Sequence, residues 1–224
     1  GQVPKKKQII AMARSEIIIF TQDDVLFEPN TISSILERFE RNSKTKLISI
    51  RKQPVTAAGF FEDTTKVGTR VINRIARVWN GGDNYLATVG RCMAVRTDWV
   101  RKYNLPDNVV SSDAYFYFEN KRLGGGFEYL PEVAVLYRKP QSLSEHHKKS
   151  NRFQYQRQEM TRYFGDVEFY YKIPKQLFLR AFLSEFVSAP IKTIVYLCIY
   201  SYTHLFRQDM QKALNPIWDV DTTT

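Results

Sequence analysis

Two carboxylates, Asp23 and Asp24, follow closely on the apolar run Ile17-Ile18-Ile19-Phe20. Adjacent acids repel each other, and an oxygen-seeking divalent cation, Mg²⁺ or Mn²⁺, offsets that repulsion; the plainer reading is a helix cap or a solvated turn. A third carboxylate, Asp113, stands after Ser111-Ser112 at the start of a helical stretch. There the positive end of the helix macrodipole stabilises negative charge, although the residue would also serve as a simple cap. Further on, Lys149-Ser150-Asn151-Arg152-Phe153 sets two cations beside an aromatic ring, where a solvated basic helix is the alternative. One reaction uses all three groups, the transfer of a sugar from a nucleotide diphosphate. The metal and the cations neutralise the departing diphosphate, a carboxylate deprotonates the attacking hydroxyl, and the ring stacks on a sugar face.

These groups need a scaffold. Four large apolar residues before Asp23 read as a strand buried on both faces, and such strands expose their chemistry where they end. Apolar residues at Ile9, Ile10, Met12 and Ala13 predict a short helix over 8–14 ahead of it. After the acids, Pro29 suits a first helical turn, and Ile32, Ile35, Leu36 and Phe39 predict one buried helical face, closed by Asn42-Ser43. Leu47-Ile48-Ser49-Ile50 then reads as a second strand, so strand, helix and strand predict a βαβ unit and a parallel sheet at this point. Val67, Val71, Ile75 and Val78 mark a helix that also carries Arg70, Arg74 and Arg77, a basic face that is either solvated or in contact with anionic lipid. Residues 87–96 read as a strand in which Gly90 marks a bulge or a close backbone approach. The run Tyr115 to Phe118 reads as core packing, and His146-His147 as surface histidines without a third metal ligand.

Composition bounds the rest. With 224 residues, 43% hydrophobic and 14% aromatic, the chain can bury a core and is not disordered. Thirty-three Lys and Arg against 23 Asp and Glu give a net charge of +10, which favours polyanions: nucleic acid, anionic lipid or nucleotide diphosphates. The basic residues are scattered and no glycine motif of an RNA-binding module occurs, so nucleic acid is the least favoured of the three. Cys92 and Cys198 are far apart and read as reduced thiols.

In this order the segments resemble the family-two inverting glycosyltransferases, which have the A-type nucleotide-sugar fold and include relatives of cellulose and hyaluronan synthases. The stretch 1–29, ending Gln22-Asp23-Asp24-Val25, resembles the family's helix, apolar strand and Asp-x-Asp motif. Ser111-Ser112-Asp113 is similar to its Thr-Glu-Asp box, Lys149-Ser150-Asn151-Arg152-Phe153 to its Gln-x-x-Arg-Trp box, and 127–145 to the strand and loop between them. Gln22 replaces the first aspartate of the metal motif, serines replace two residues of the second box, and lysine and phenylalanine replace glutamine and tryptophan in the third.

The resemblance implies an α/β fold, a partial A-type mixed sheet flanked by helices, on which Asp24, with Asp23, holds Mg²⁺ or Mn²⁺. Asp113 is then the catalytic base, Arg152 and Lys149 bind the diphosphate, and Phe153 contacts the acceptor. The implied partners are a nucleotide-diphosphate sugar, a glycan or lipid-linked acceptor and a membrane, with the active site on its cytoplasmic face and no nucleic acid. The family's base-binding strands precede the metal motif, so the resemblance also implies an upstream part beyond Gly1. The expected division is a catalytic core over 1–165 and a membrane-associated helical tail over 166–224. Within that tail, 186–206 has the ~20 residues that span a bilayer, with Lys192 and Pro190 against the span, so it reads either as a spanning or deeply inserted helix or as a buried or interfacial one. An inactive membrane-surface scaffold of the same fold and a basic RNA-binding protein are the competing expectations.

Overall fold

The computed structural model describes residues 2–215; Gly1 and the end of the expected tail, 216–224, lie outside the described residues. Strands β1 (Ile17–Thr21), β2 (Val25–Phe27), β3 (Thr45–Pro54), β4 (Cys92–Arg96) and β5 (Gly126–Tyr137) form one sheet in the order β1-β4-β3-β5-β2. Only β3 and β5 pair in parallel; β4 runs antiparallel to both β1 and β3, and β2 antiparallel to β5. The parallel sheet expected around β1 and β3 is therefore a mixed one. Those two strands do run in the same direction, but β4 lies between them. Its four residues Cys92 to Val95 are buried, which suits a central position.

Alternate side chains of the strands point into two layers of core. Ile18, Phe20, Leu47, Met93, Val95 and Phe127 pack with α1 (Gln2–Met12) and α5 (Ser112–Arg122). Ile48, Ile50, Ala94 and Leu130 face α2 (Thr31–Arg41) through Ile35 and Phe39. Only those two of the four apolar residues expected on that helix are buried; Ile32 and Leu36 stand 40% and 39% exposed. The aromatic run Tyr115 to Phe118 on α5 is core, as its composition predicts, with Phe116 edge-on to Phe20 at 5.5 Å. The helix is buried on most sides, polar residues such as Glu119 and Asn120 included, so no amphipathic period marks it.

The basic helix α3 (Phe60–Val78) buries Val67, Val71 and Ile75 against Ala181 of α8 (Lys175–Ser188), while Val78 is exposed. Arg74 and Arg77 are exposed, as a solvated face would be, but Arg70 and Arg74 are also engaged by a carboxylate. Arg70 Nε donates to Glu185 Oε2 at 2.6 Å and Arg74 Nε to Glu185 Oε1 at 3.2 Å, and Glu185 is 1% exposed. A buried carboxylate demands such partners, which is why the arginines turn toward α8.

The single hydrophobic span expected over 186–206 is interrupted. Ala189 leaves the helical region (φ −152°, ψ 71°) and Pro190 opens α9 (Pro190–Leu205), because proline lacks an amide hydrogen and forces its predecessor toward extended backbone. The result is two helices of 14 and 16 residues, and among the described residues no helix is long and apolar enough to cross a membrane. Both pack on α3, with Ala181, Leu177, Phe182 and Tyr196 joining its buried residues.

The Glu185 junction makes an asymmetric prediction. Replacing both Arg70 and Arg74 by Ala strands a buried carboxylate and should cost about 3–5 kcal/mol. Glu185→Ala leaves arginines that can turn to water and should cost only ~1–2 kcal/mol. Equilibrium urea unfolding reads both, and a larger loss for Glu185→Ala would contradict the assignment.

Candidate functional site

The carboxyl ends of β1, β3 and β5 and the amino end of β4 meet at one edge of the sheet, where Thr21 lies opposite Cys92 and Pro54 opposite Tyr137. Open α/β sheets bind their ligands in this position. Asp24 sits in the turn from β1 to β2, and Arg91 immediately precedes β4. Arg91 Nη1 donates to both carboxylate oxygens of Asp24, at 2.9 and 2.8 Å. The same guanidinium lies 4.2 Å from the centre of the Tyr137 ring, close enough for a cation–π contact. Asp23 is exposed beside them.

Asp113 lies in the first turn of α5. The chain entering that helix is held from two sides. Glu159, buried on α6 (Leu143–Phe164), accepts the amides of Val110 and Ser111 at 2.7 and 3.0 Å. On the other side, Lys6 Nζ donates to Ser112 Oγ at 2.7 Å. Two consecutive residues, Gly90 and Arg91, each touch one of the acids. A Cβ added at Gly90 would sit 3.4 Å from Asp113 Oδ2, so Asp113 packs against Gly90 while the next residue, Arg91, grips Asp24. The neighbour of this glycine is a side chain at ordinary contact distance, not the bulge or close backbone approach expected, and the strand begins at Cys92 and not at 87.

Cations crowd this edge. Burial lowers Lys52, at the end of β3, to about 8; the Asp113 charge opposes that shift and Arg91 adds to it. Lys139, just beyond β5, is lowered to about 7, first by burial and then by repulsion from Lys52, Arg91 and Lys149, against a smaller pull from Glu62. Its Nζ donates to Thr69 Oγ1 at 3.3 Å, and that hydroxyl also bonds the Tyr137 hydroxyl at 2.9 Å. His146 is pushed down to about 3 by burial and by Lys139 and Lys149. It is neutral, half-buried and edge-on to Phe61, not the surface residue expected from the sequence. Lys6 is likewise lowered to about 8 by burial, with Asp113 opposing.

Of the residues singled out in the sequence, Asp24 contacts Arg91 and Asp113 contacts the adjacent Gly90, and Lys149 acts on the cationic group through Lys139. Arg152 follows Lys149 by three positions on the same helix, hence on the same side of it, and is half-buried. Phe153 is 64% exposed on that helix. Arg91, Lys52, Lys139, Lys6 and Glu159 escaped sequence reasoning. Only Gly90 carried a signal for any of them, because single lysines at strand ends have no characteristic spacing.

For a metal, the acids at this edge, Asp23 and Asp24, offer carboxylate oxygens, the donors preferred by Mg²⁺ and Mn²⁺. Arg91 occupies two of the roughly four acceptor directions of the Asp24 carboxylate. No group of three or more His, Cys, Asp or Glu side chains suited to a metal occurs among the described residues. The pair therefore fits a cation that takes one or two carboxylates and completes its shell with phosphate oxygens and water.

No protein-family model and no curated protein matches the chain. Among solved structures it is similar to the mannosyltransferase PcManGT from Pyrobaculum calidifontis, solved in complex with GDP-Man and Mn²⁺. The TM-score is 0.54 at 12% identity, over 95% of this chain and 57% of that one. At this identity the likeness defines the fold: a mixed α/β sheet flanked by helices, as in that glycosyltransferase. The chain spans a little over half the length of that protein, 57%.

Lys139 yields a linkage prediction. Its folded value of about 7 lies below the ordinary 10.5, so between those values the unfolded chain binds a proton that the folded one does not, and stability rises with pH. Below about 7 the lysine is charged in both states and the full cost of burying it among cations is present. Lys139→Met should therefore raise the melting temperature by about 2–4 °C at or below neutral pH. Differential scanning calorimetry should show that gain shrinking as the pH is raised toward 10.

Proposed function

We propose that the chain carries the acidic and cationic centre of a glycosyltransferase that moves a sugar from a nucleotide-diphosphate donor to a hydroxyl of a glycan or lipid-linked acceptor, with inversion. The observation that carries this reading is the Asp113–Gly90–Arg91–Asp24 junction at the strand ends, bordered by Lys52, Lys139 and Lys149. Two carboxylates beside a group of half-buried cations suit a reaction in which a hydroxyl loses a proton while a diphosphate gains charge. The fold shared with a GDP-mannose transferase supports the same reading.

In this mechanism Asp113 accepts the proton of the acceptor hydroxyl. The freed oxygen forms a bond to the anomeric carbon on the face opposite the diphosphate, and the electron pair of the breaking C–O bond leaves with the diphosphate. Single displacement from the opposite face inverts the anomeric centre. Arg91 and Lys52 stabilise the departing charge from the sheet, and Lys139, Lys149 and Arg152 from β5 and α6. Asp24, with Asp23, would hold Mg²⁺ or Mn²⁺, which supplies Lewis-acid stabilisation to the diphosphate oxygens. Phe153, exposed on α6, offers an apolar face to the acceptor.

A second reading, an inactive scaffold of the same fold, is favoured by the ion pair that already engages Asp24. Turnover separates the two. Donors including GDP-mannose and uridine-diphosphate sugars are incubated with the full chain, Mn²⁺ and acceptor. Asp113→Asn should lower transfer by ~10²–10⁴-fold with donor affinity unchanged. Arg91→Ala should weaken donor binding by about tenfold or more, the loss of one charge-assisted contact. Equal turnover in wild type and Asp113→Asn removes the base assignment, and no turnover of any donor by the wild type favours the scaffold.

A further inference from the structure

Helix α6 has two sides, and the proposed chemistry uses one of them. Lys149 and Arg152 stand on the side from which Lys149 repels Lys139 and His146. Residues His147, Ser150, Asn151, Gln154 and Tyr155 recur at the three-and-four spacing and centre on the opposite side, about half a turn away. Every one of them is polar. Every one of them also bonds to the same short piece of chain, 203–208, at the end of α9 and just beyond it.

The seam is closed at both ends. Ser150 Oγ donates to Thr203 Oγ1 at 3.3 Å, and Gln154 Nε2 donates to the Thr203 carbonyl at 3.1 Å and to Ser150 Oγ at 3.2 Å, so three side chains form a ring. Further along, both peptide groups of Gln208 are taken by α6. Its amide donates to Asn151 Oδ1 at 3.1 Å, and its carbonyl accepts the Tyr155 hydroxyl at 2.8 Å. Between them, His147 Nε2 lies 2.5 Å from the Phe206 carbonyl, which can only accept, so that nitrogen carries the proton. Asn151 and Thr203 are fully buried. A buried amide or hydroxyl is costly to leave without its partner, so the seam favours one register of α6 against 203–208.

Charge explains why α6 needs holding from behind. Lys149 acts on Lys139 together with Lys52 and Arg91, and like charges gathered this closely push the helix away from the strand ends. The seam lies on the far side and opposes that push. We propose that 203–208 is the strut of the cationic wall: its bonds to the rear of α6 hold Lys149 and Arg152 at the spacing that grips a diphosphate. Ser150 and Asn151, which separate the two cations in the sequence, are then positioning residues, as are Gln154, Tyr155 and Thr203. This rests on the diphosphate role given above to Lys149 and Arg152. Cations fixed before the anion arrives need no rearrangement when it binds, and the strut therefore acts on affinity.

The test is calorimetric titration of the full chain with inorganic pyrophosphate, which presents the diphosphate without base or sugar. Gln154→Leu together with Thr203→Val should weaken binding about tenfold, and Tyr155→Phe about threefold. Tyr155→Phe keeps the size of the ring and serves should the double variant not fold. Thr203→Ser, which retains the hydroxyl, should bind as wild type does. A strut acts only through the cations it places, so on a Lys149→Met background the same substitutions should cost less than on wild type. A seam that merely stabilises the fold gives a different pattern. Melting temperatures that fall while pyrophosphate affinity stays unchanged, or losses that simply add to that of Lys149→Met, overturn the strut and leave the proposed function standing. A wild type that does not bind pyrophosphate, or binding indifferent to Lys149→Met, overturns the diphosphate role itself and the strut with it.

Discussion

The geometry of the candidate site depends on the position of one guanidinium. Arg91 is held between the Asp24 carboxylate and the Tyr137 ring, and so joins the turn after β1, the start of β4 and the end of β5. Those are an edge strand, a central strand and a strand two places further across the sheet. A planar cation suits this position because its rim donates to both carboxylate oxygens while its face lies on an aromatic ring. One residue earlier, Gly90 lies in van der Waals contact with Asp113.

Around that point the molecule tolerates a concentration of positive charge that folding alone does not favour. Lys52 and Lys139 are lowered to about 8 and about 7 by burial, and the repulsion of neighbouring cations adds to the shift. Among the groups acting on them, Asp113 and Glu62 are the carboxylates that offset part of it. Perturbed lysines grouped at the carboxyl ends of strands mark a place where an anion would relieve strain in the charge distribution, the usual signature of a functional site. The α8–α9 hairpin differs in kind. Several of its apolar groups project outward, while Lys192 is half-buried against Asp63 of α3.

Much of the layout is legible in the sequence because it is written in local patterns. The apolar run before Asp23, the three-and-four spacing of Ile35 and Phe39, the polar helix from Leu143 and the aromatic core helix at Tyr115 all follow from side-chain type and period. Asp24 and Asp113 can be found from their places at a strand end and a helix start. Expectations failed where a residue's surroundings come from distant segments. For the basic stripe of Arg70 and Arg74, the missed feature is the partner, Glu185, which lies more than a hundred positions away. The 186–206 segment read as one span because a hydropathy window averages over Pro190, whereas the backbone cannot.

The sequence by itself therefore determined the elements, the acids that end and begin them, and the basic character of the chain, since each is a property of neighbours along the backbone. Only the tertiary structure decided that β4 inserts between β1 and β3, and with it that Arg91 reaches Asp24 while Gly90 meets Asp113. Strand order is set by which buried faces can be covered at once, a global packing condition that no local period encodes. The cationic neighbourhood of Lys139 is decided in the same way, by Lys52, Arg91 and Lys149 converging from β3, the start of β4 and α6.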